Sequence, residues 1–189
     1  MTLIFFIKHT MLFLLFLTSV TSATSVTSVK CKRECKSSGL FYASGTVDQC
    51  FSTSYPSDLQ FVKYTCSPPT SKDGTRAIMT LNGFDVGEEG GGASSCDGIY
   101  HKNTEKIAAL STGWFNGGSN CGKMIKISKN GKTSFAKIVD ECDSRQGCDP
   151  EHGYLPPCGN NIVDTSQAIW DELGLDSQVG EIEIMWSWN

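Results

Sequence analysis

Short apolar runs bounded by turn residues recur from residue 76 onward, and they predict strands. Ala77-Ile78-Met79-Thr80-Leu81 is one, closed by the Asn82-Gly83 turn. Residues 107–112 form a second. Residues 124–128 and 133–140 form two more, joined by Lys129-Asn130-Gly131-Lys132; Asn-Gly accepts the positive φ angles of a type I′ turn, so this pair is a hairpin. Residues 161–163 are a short strand. Asp164 then opens a helix: Gln167 stands three positions on in a capping-box pattern, Ala168, Ile169 and Leu173 give an apolar face, and Gly174 stops it. In residues 181–186, Ile182, Ile184 and Trp186 alternate with Glu181, Glu183 and Met185, as in a half-buried strand. Six short strands, one helix and turn-rich connections predict a mainly β chain closed into a small barrel.

Residues 31–75 show little periodicity and are rich in Gly, Ser, Pro and Asp. They read as a loop-rich segment tied by disulfides, with Cys66-Ser67-Pro68-Pro69 as a stiff boundary, because neither proline can donate to a strand ladder. The chain start has a different character. Lys8, an apolar run from Met11 to Leu17, and small residues up to Ala23 make a secretory signal peptide cut after Ser22 or Ala23. The apolar run is too short for a membrane anchor, and His9 and Thr10 interrupt it. The organisation read from sequence is therefore a signal peptide at 1–23, a loop-rich cysteine-containing segment at 24–75 whose first residues are a disordered lead, and a barrel at 76–189.

Secretion changes the meaning of the cysteines. All nine follow the signal: Cys31, Cys35, Cys50, Cys66, Cys96, Cys121, Cys142, Cys148 and Cys158. In an oxidising compartment they form a disulfide framework. The count is odd, so one thiol is left over or pairs between molecules, and the connectivity stays open. Cys142, Cys148, His152 and Cys158 could instead hold zinc, but secretion favours bridges and no CxxC pair is present. No metal is expected.

Charge narrows the partners. The formal net charge is −4 for 189 residues, and loss of Lys8 with the signal takes it to −5. A mildly acidic chain without a basic run points away from nucleic acid and from anionic membrane, toward a positively charged protein or a neutral polysaccharide. No N-x-S/T sequon is present.

The candidate chemistry centres on 136–149, AKIVDECDSRQGCD, an apolar strand that turns abruptly acidic. Cys142 and Cys148 bracket its loop, and a disulfide there would pin the chain where the carboxylates emerge. Asp140 and Asp164 are the catalytic candidates, since glycoside cleavage needs a carboxylic acid and often a second carboxylate. Each also has a structural reading, Asp164 as a helix N-cap and Asp140 as the anchor of a buried turn. Asp143, Asp149 and Glu151 with Glu141 form an acidic face that Arg145 partly neutralises. The EF-hand spacing is absent. Trp114, Phe115 and Asn116 suggest an aromatic platform for a sugar or a protein, unless the rings are core. His101 and His152 have no nucleophile arranged beside them in sequence, and Gly87–Gly92 reads as a mobile loop whose Glu88 and Glu89 repel phosphate.

Several longer motifs resemble one family. Cys66-Ser67-Pro68-Pro69, Gly90-Gly91-Gly92, Cys96-Asp97-Gly98-Ile99-Tyr100-His101, residues 109–127, residues 136–149, Pro156-Pro157-Cys158 and the NNIVD at 160–164 stand in order as in kiwellins, the plant ripening-related secreted proteins. The resemblance covers about residues 66–186. It implies a six-stranded double-psi β-barrel related to barwin, expansins and family 45 endoglucanases, located in the apoplast or cell wall, without a cofactor. It also implies a role in plant defence, with some members inhibiting enzymes that pathogens secrete, chorismate mutase being the precedent. The expected role is thus a monomeric binding protein for a secreted microbial effector rather than an enzyme; the alternative is a polysaccharide-binding or -modifying barrel. In that alternative Asp164 matches the aspartate that the endoglucanase and expansin relatives carry, and Asp140 looks like the one ending the central strand. The Thr-x-Tyr-x-Asp stretch that holds the endoglucanases' second carboxylate is missing; Ser111-Thr112-Gly113-Trp114-Phe115 is nearest and has no acid.

Overall fold

The computed structural model describes residues 34–42, 50, 60–88 and 90–189. The signal peptide, the lead at 24–30 and Cys31 lie outside the described residues. The first sheet is a two-stranded antiparallel pair, β1 (Gly39–Tyr42) with β2 (Gln60–Lys63). It stands in the segment read as loop, where four-residue strands carry too little alternation to register as a period. Then follow β3 (Thr75–Leu81), β4 (Ile107–Ser111), a one-turn helix α1 (Thr112–Phe115), β5 (Met124–Lys129), β6 (Lys132–Cys142), β7 (Ile162–Thr165), α2 (Gln167–Leu173) and β8 (Glu181–Trp188).

The six strands from β3 to β8 close into a barrel in the order β3-β7-β4-β6-β5-β8, mainly antiparallel, with β3·β7 and β4·β6 parallel. Parallel neighbours need crossover connections, and two such crossings in one small barrel make the double-psi arrangement. The β5–β6 hairpin turns on Asn130 and Gly131 at φ 51° and 78°, as its sequence predicts. Gly174 ends α2 in the left-handed conformation, its N–H reaching the Asp171 and Trp170 carbonyls. The helix start differs from expectation. Asp164 lies inside β7, Ser166 precedes the helix, and no side chain caps it. The strand continues two residues past the predicted boundary because 164 and 165 still pair with β3 and β4.

Two apolar clusters sit on opposite faces of the barrel wall. Inside are Ala77, Met79, Ala108, Leu110, Ile125, Ile127, Ile138, Val163, Ile184 and Trp186, plugged by Ile169, Trp170 and Leu173 of α2. Trp114 and Phe115 belong to this core, each 4% exposed, and Trp114 Nε1 donates to the Pro68 carbonyl at 2.7 Å. The aromatic platform predicted there is therefore replaced by core packing. Outside, Phe84, Ile107, Ala109, Val139 and Cys142 form a smaller cluster.

Four disulfides bind the loops to this frame: Cys35–Cys66, Cys50–Cys148, Cys96–Cys121 and Cys142–Cys158. Cys142 and Cys148 do not bridge each other. Each pins its end of the acidic loop to a different part of the chain. A Tyr64 N–H bond to the Ser144 carbonyl, 2.8 Å, reinforces that attachment. Eight cysteines are thus paired among themselves, which singles out Cys31. A thiol titration of the denatured, unreduced protein should find one thiol per chain, lost in Cys31→Ser. No thiol, together with a reducible dimer on a gel, would show instead that Cys31 bridges two molecules.

Candidate functional site

The site begins at an irregularity in β6. Along β4, Ala108 pairs with Ile138 but the next residue, Ala109, pairs with Asp140. Val139 is the extra residue of a β-bulge, which explains why Ile138 and Val139 are both buried although adjacent. Ile138 fills the barrel and Val139 the outer cluster. The bulge re-aims Asp140, so it emerges from the outer wall beside Ala109. Asp140 is therefore within the strand rather than at its end.

Ala109 pairs on its other edge with Asp164, and Asp164 pairs in turn with Thr80. Laterally paired residues share a face of the sheet. Asp140, Ala109, Asp164 and Thr80 thus form one row across four strands. The Thr80 hydroxyl donates to Asp164 Oδ1 at 2.8 Å, which confirms the shared face. Two inter-strand spacings separate the aspartate Cα atoms, about 9–10 Å. Ala109, 2% exposed, provides a low floor between them.

Asp140, Ala109 and Asp164 of this row line a cleft of about 460 Å³ that also gathers Glu141, Asp143, Glu151, Arg145 and His152. Five carboxylates thus face one guanidinium. Glu141 Oε1 accepts from the Thr112 hydroxyl at 2.6 Å and from Arg145 Nη2 at 3.1 Å. Asp143 accepts from the Arg145 N–H at 2.6 Å and from its Nε at 3.2 Å. Arg145 is 45% exposed, so these pairs stabilise the fold by no more than about 1 kcal/mol each. Their effect is to fix where the charges stand. Asp149 borders the cleft as the cap of a 3-10 turn at Pro150–His152, bonding the His152 backbone N–H at 3.0 Å and ring Nδ1 at 2.6 Å. Burial pushes the Asp149 carboxyl up, but these bonds outweigh it and leave its pKa below the ordinary value.

Asp140 behaves oppositely. Burial raises its pKa, and the bonds from Ser95 and from the Glu141 N–H offset this only in part. The Ser95 and Glu141 N–H groups both reach Oδ1, each at 2.8 Å.

The glycine loop forms another wall. Gly92 N–H bonds the Glu151 carbonyl at 2.9 Å, and a side chain at Gly91 would strike that same carbonyl. The end of this loop at Gly90 and Gly91 is packed against backbone, and those close approaches account for these two glycines. Ser95 was not signalled by sequence, since it lies 45 residues from Asp140. Thr80 was readable in principle as an outward position two residues from Ile78. Of the predicted contact residues, Asp143, Arg145 and Glu151 join the aspartates here; Phe115 is in the core, and Trp114, packed in the core, also lines a separate groove with Asn116. His101 is buried elsewhere, its ring nitrogens 3.2 Å from Asp97 and 3.4 Å from Glu105.

A family model described as Kiwellin-1 matches residues 19–189. The ripening-related protein grip22 of Vitis vinifera is 58% identical over 125 residues, covering 66% of this chain and 56% of that protein. Kiwellin of Actinidia chinensis var. chinensis is 55% identical over 145 residues, covering 76% and 64%. Ripening-related protein 3 of Oryza sativa subsp. japonica is 50% identical over 132 residues, covering 68% and 62%. The chain spans less than two thirds of the length of these relatives. Among solved structures, an expansin of Clavibacter michiganensis aligns with a TM-score of 0.47 at 18% identity, over 61% of this chain and 50% of that one. A Streptomyces papain inhibitor aligns with a TM-score of 0.41 at 20% identity, over 61% and 93%.

The raised Asp140 pKa has a consequence for stability. The unfolded chain releases this proton first, near 3.8, so stability falls as pH rises from there through the folded-state value, and the penalty persists above it. An asparagine keeps an oxygen for both N–H donors and carries no charge. Asp140→Asn should therefore be more stable than the parent at pH 7, with the difference vanishing below about pH 3.8; urea unfolding at both pH values measures it.

Proposed function

Because the chain belongs to the kiwellin family, we propose that it is a secreted defence protein that docks onto a microbial effector enzyme and inhibits it. The observation that carries this reading is the acidic cleft, five carboxylates around one guanidinium, three of them on the barrel strands β6 and β7 and two, with the guanidinium, on a loop tied down by Cys142–Cys158 and Cys50–Cys148. Such a cleft suits a lysine or arginine projecting from a partner. Leu155 lines it at 46% exposure and Tyr154 stands next in sequence at 45%. Apolar groups around a desolvated charge give the usual anatomy of a tight contact. Tyr154 and Cys148 hold positive φ angles of 61° and 65°, so the loop's shape is set before a partner arrives and little ordering is left to do on binding. The role is binding rather than turnover.

A second reading rests on the Asp140–Ala109–Asp164 row. Paired carboxylates on one open face, one with a raised pKa, are the elements of acid-assisted glycan cleavage. Here the protein would act on wall polysaccharide, with Asp140 as the acid.

One pair of experiments separates the two. A secreted microbial chorismate mutase, following the family precedent, should form a saturable complex with the oxidised protein and lose turnover. Glu151→Lys should weaken that complex by about tenfold or more, since it places a charge against the incoming cation. Failure to bind any secreted enzyme, combined with new reducing ends from a wall polysaccharide that disappear in Asp164→Asn, would replace the first reading with the second.

A further inference from the structure

A second groove, of about 660 Å³, shares no lining residue with the acidic cleft. It begins where the inner face of β8 runs past the end of the core. Ile184, Trp186 and Trp188 point the same way along β8, with Ile184 and Trp186 buried and Trp188 37% exposed. The three rings Trp114, Trp186 and Trp188 meet edge to face, at centroid distances of 4.9 and 5.0 Å. Trp188 is therefore an open indole held in place by the core behind it.

The polar side chains of this groove include no aspartate or glutamate. Thr70, Asn116, Asn120 and Asn189 line it with hydroxyl and amide groups, and Lys123 with an ammonium group; the Asn120 amide donates to the Trp114 carbonyl at 2.6 Å. Lys123 Nζ lies 5.8 Å from the Trp188 ring centroid and bonds the neutral Asn120 Oδ1 at 2.7 Å. Among the described residues it has no ion-pair partner, unlike Lys102, Lys106 and Arg145. Asn116 holds a left-handed φ of 54°, and its side-chain amide N–H donates to Ser119 Oγ at 2.6 Å. The opposite wall is Ser67-Pro68, clamped on α1 by the Trp114 bond and by a contact so close that Gly113 could carry no side chain.

We propose that this groove binds an acidic carbohydrate, with a uronic acid ring stacked on Trp188 and its carboxylate on Lys123. A flat exposed indole matches the C–H face of a pyranose, and amide and hydroxyl groups match its hydroxyls. The unpaired ammonium selects a carboxylated sugar over a neutral one. The proposal is independent of the acidic cleft, whose charge would repel the same ligand.

Calorimetric titration of the oxidised protein tests it with a hexamer of α-1,4-linked galacturonic acid, its methyl ester and poly-L-glutamate. The free acid should bind, and the ester should bind about tenfold or more weaker, because the charge-assisted bond is lost. Lys123→Gln should lower the affinity for the acid to that for the ester and remove most of its salt dependence. Trp188→Ala should abolish both, with near-ultraviolet circular dichroism reporting the fold. Lys123 is an exposed loop residue, so its variant remains informative even if Trp188→Ala fails to fold. Absence of binding, equal affinity in Lys123→Gln, or equally tight poly-L-glutamate would each overturn the assignment. Loss of effector binding in the cleft variants would leave it untouched.

Discussion

Residues Ile107–Ser111 are buried one after another while β4 pairs with β6 on one edge and β7 on the other. A strand covered on both faces and both edges has no tolerance for a change of register, because a shift of one residue exchanges its two sets of side chains. Ala108 and Leu110 must face the barrel, and Ile107 and Ala109 the outer cluster. Everything at the acidic cleft follows from that fixed strand. Asp140 and Asp164 have their positions because they are the two lateral neighbours of Ala109, and the methyl group at Ala109 is what leaves room between them.

The bulge at Val139 is the price of that arrangement. Without the extra residue, Asp140 would fall on the barrel side of β6 and charge would enter the core. With it, one apolar residue is spent on each side of the wall, Ile138 within and Val139 without, and the next position opens to the cleft. The chain beyond β6 is then held by bridges at both ends of the acidic loop. Charge alone would spread the carboxylates apart; hydrogen bonds from Arg145 and Thr112 hold Glu141 and Asp143, one from Ser95 holds Asp140, and one from Thr80 holds Asp164.

Most barrel strands were legible because they have a buried and an exposed face, as in Ile182, Ile184 and Trp186 against their acidic neighbours, whereas β4, covered on both faces, was legible as a short apolar run. The hairpin at Asn130-Gly131 was legible from turn chemistry, and Gly174 from helix-stop chemistry. What failed did so where a local preference competed with a long-range contact. Asp164 is a good helix cap, yet its pairing with Thr80 and Ala109 keeps it in the strand. Trp114 and Phe115 precede a turn, which suggests exposure, but Trp186 and Pro68 are waiting across the fold. The site's acids could be listed from sequence, whereas the row that joins two of them required the register. The bulge leaves only a faint sign, two adjacent apolar residues in an otherwise alternating strand.

The two concavities carry opposite electrostatic characters on one small, net-acidic molecule, and this bears on how it can work. The cleft would draw cations and the groove, with Lys123 as its only charged side chain, an anion. A rigid, disulfide-tied body cannot adapt one surface to both, so two tasks need two places. A surface fixed in advance also loses little entropy on association, which favours tight binding from modest contact area. If one place holds to acidic polymer and the other waits for a basic protein, the first concentrates the molecule where the second meets its partner. Retention and capture then reinforce each other through effective concentration, without any change of shape.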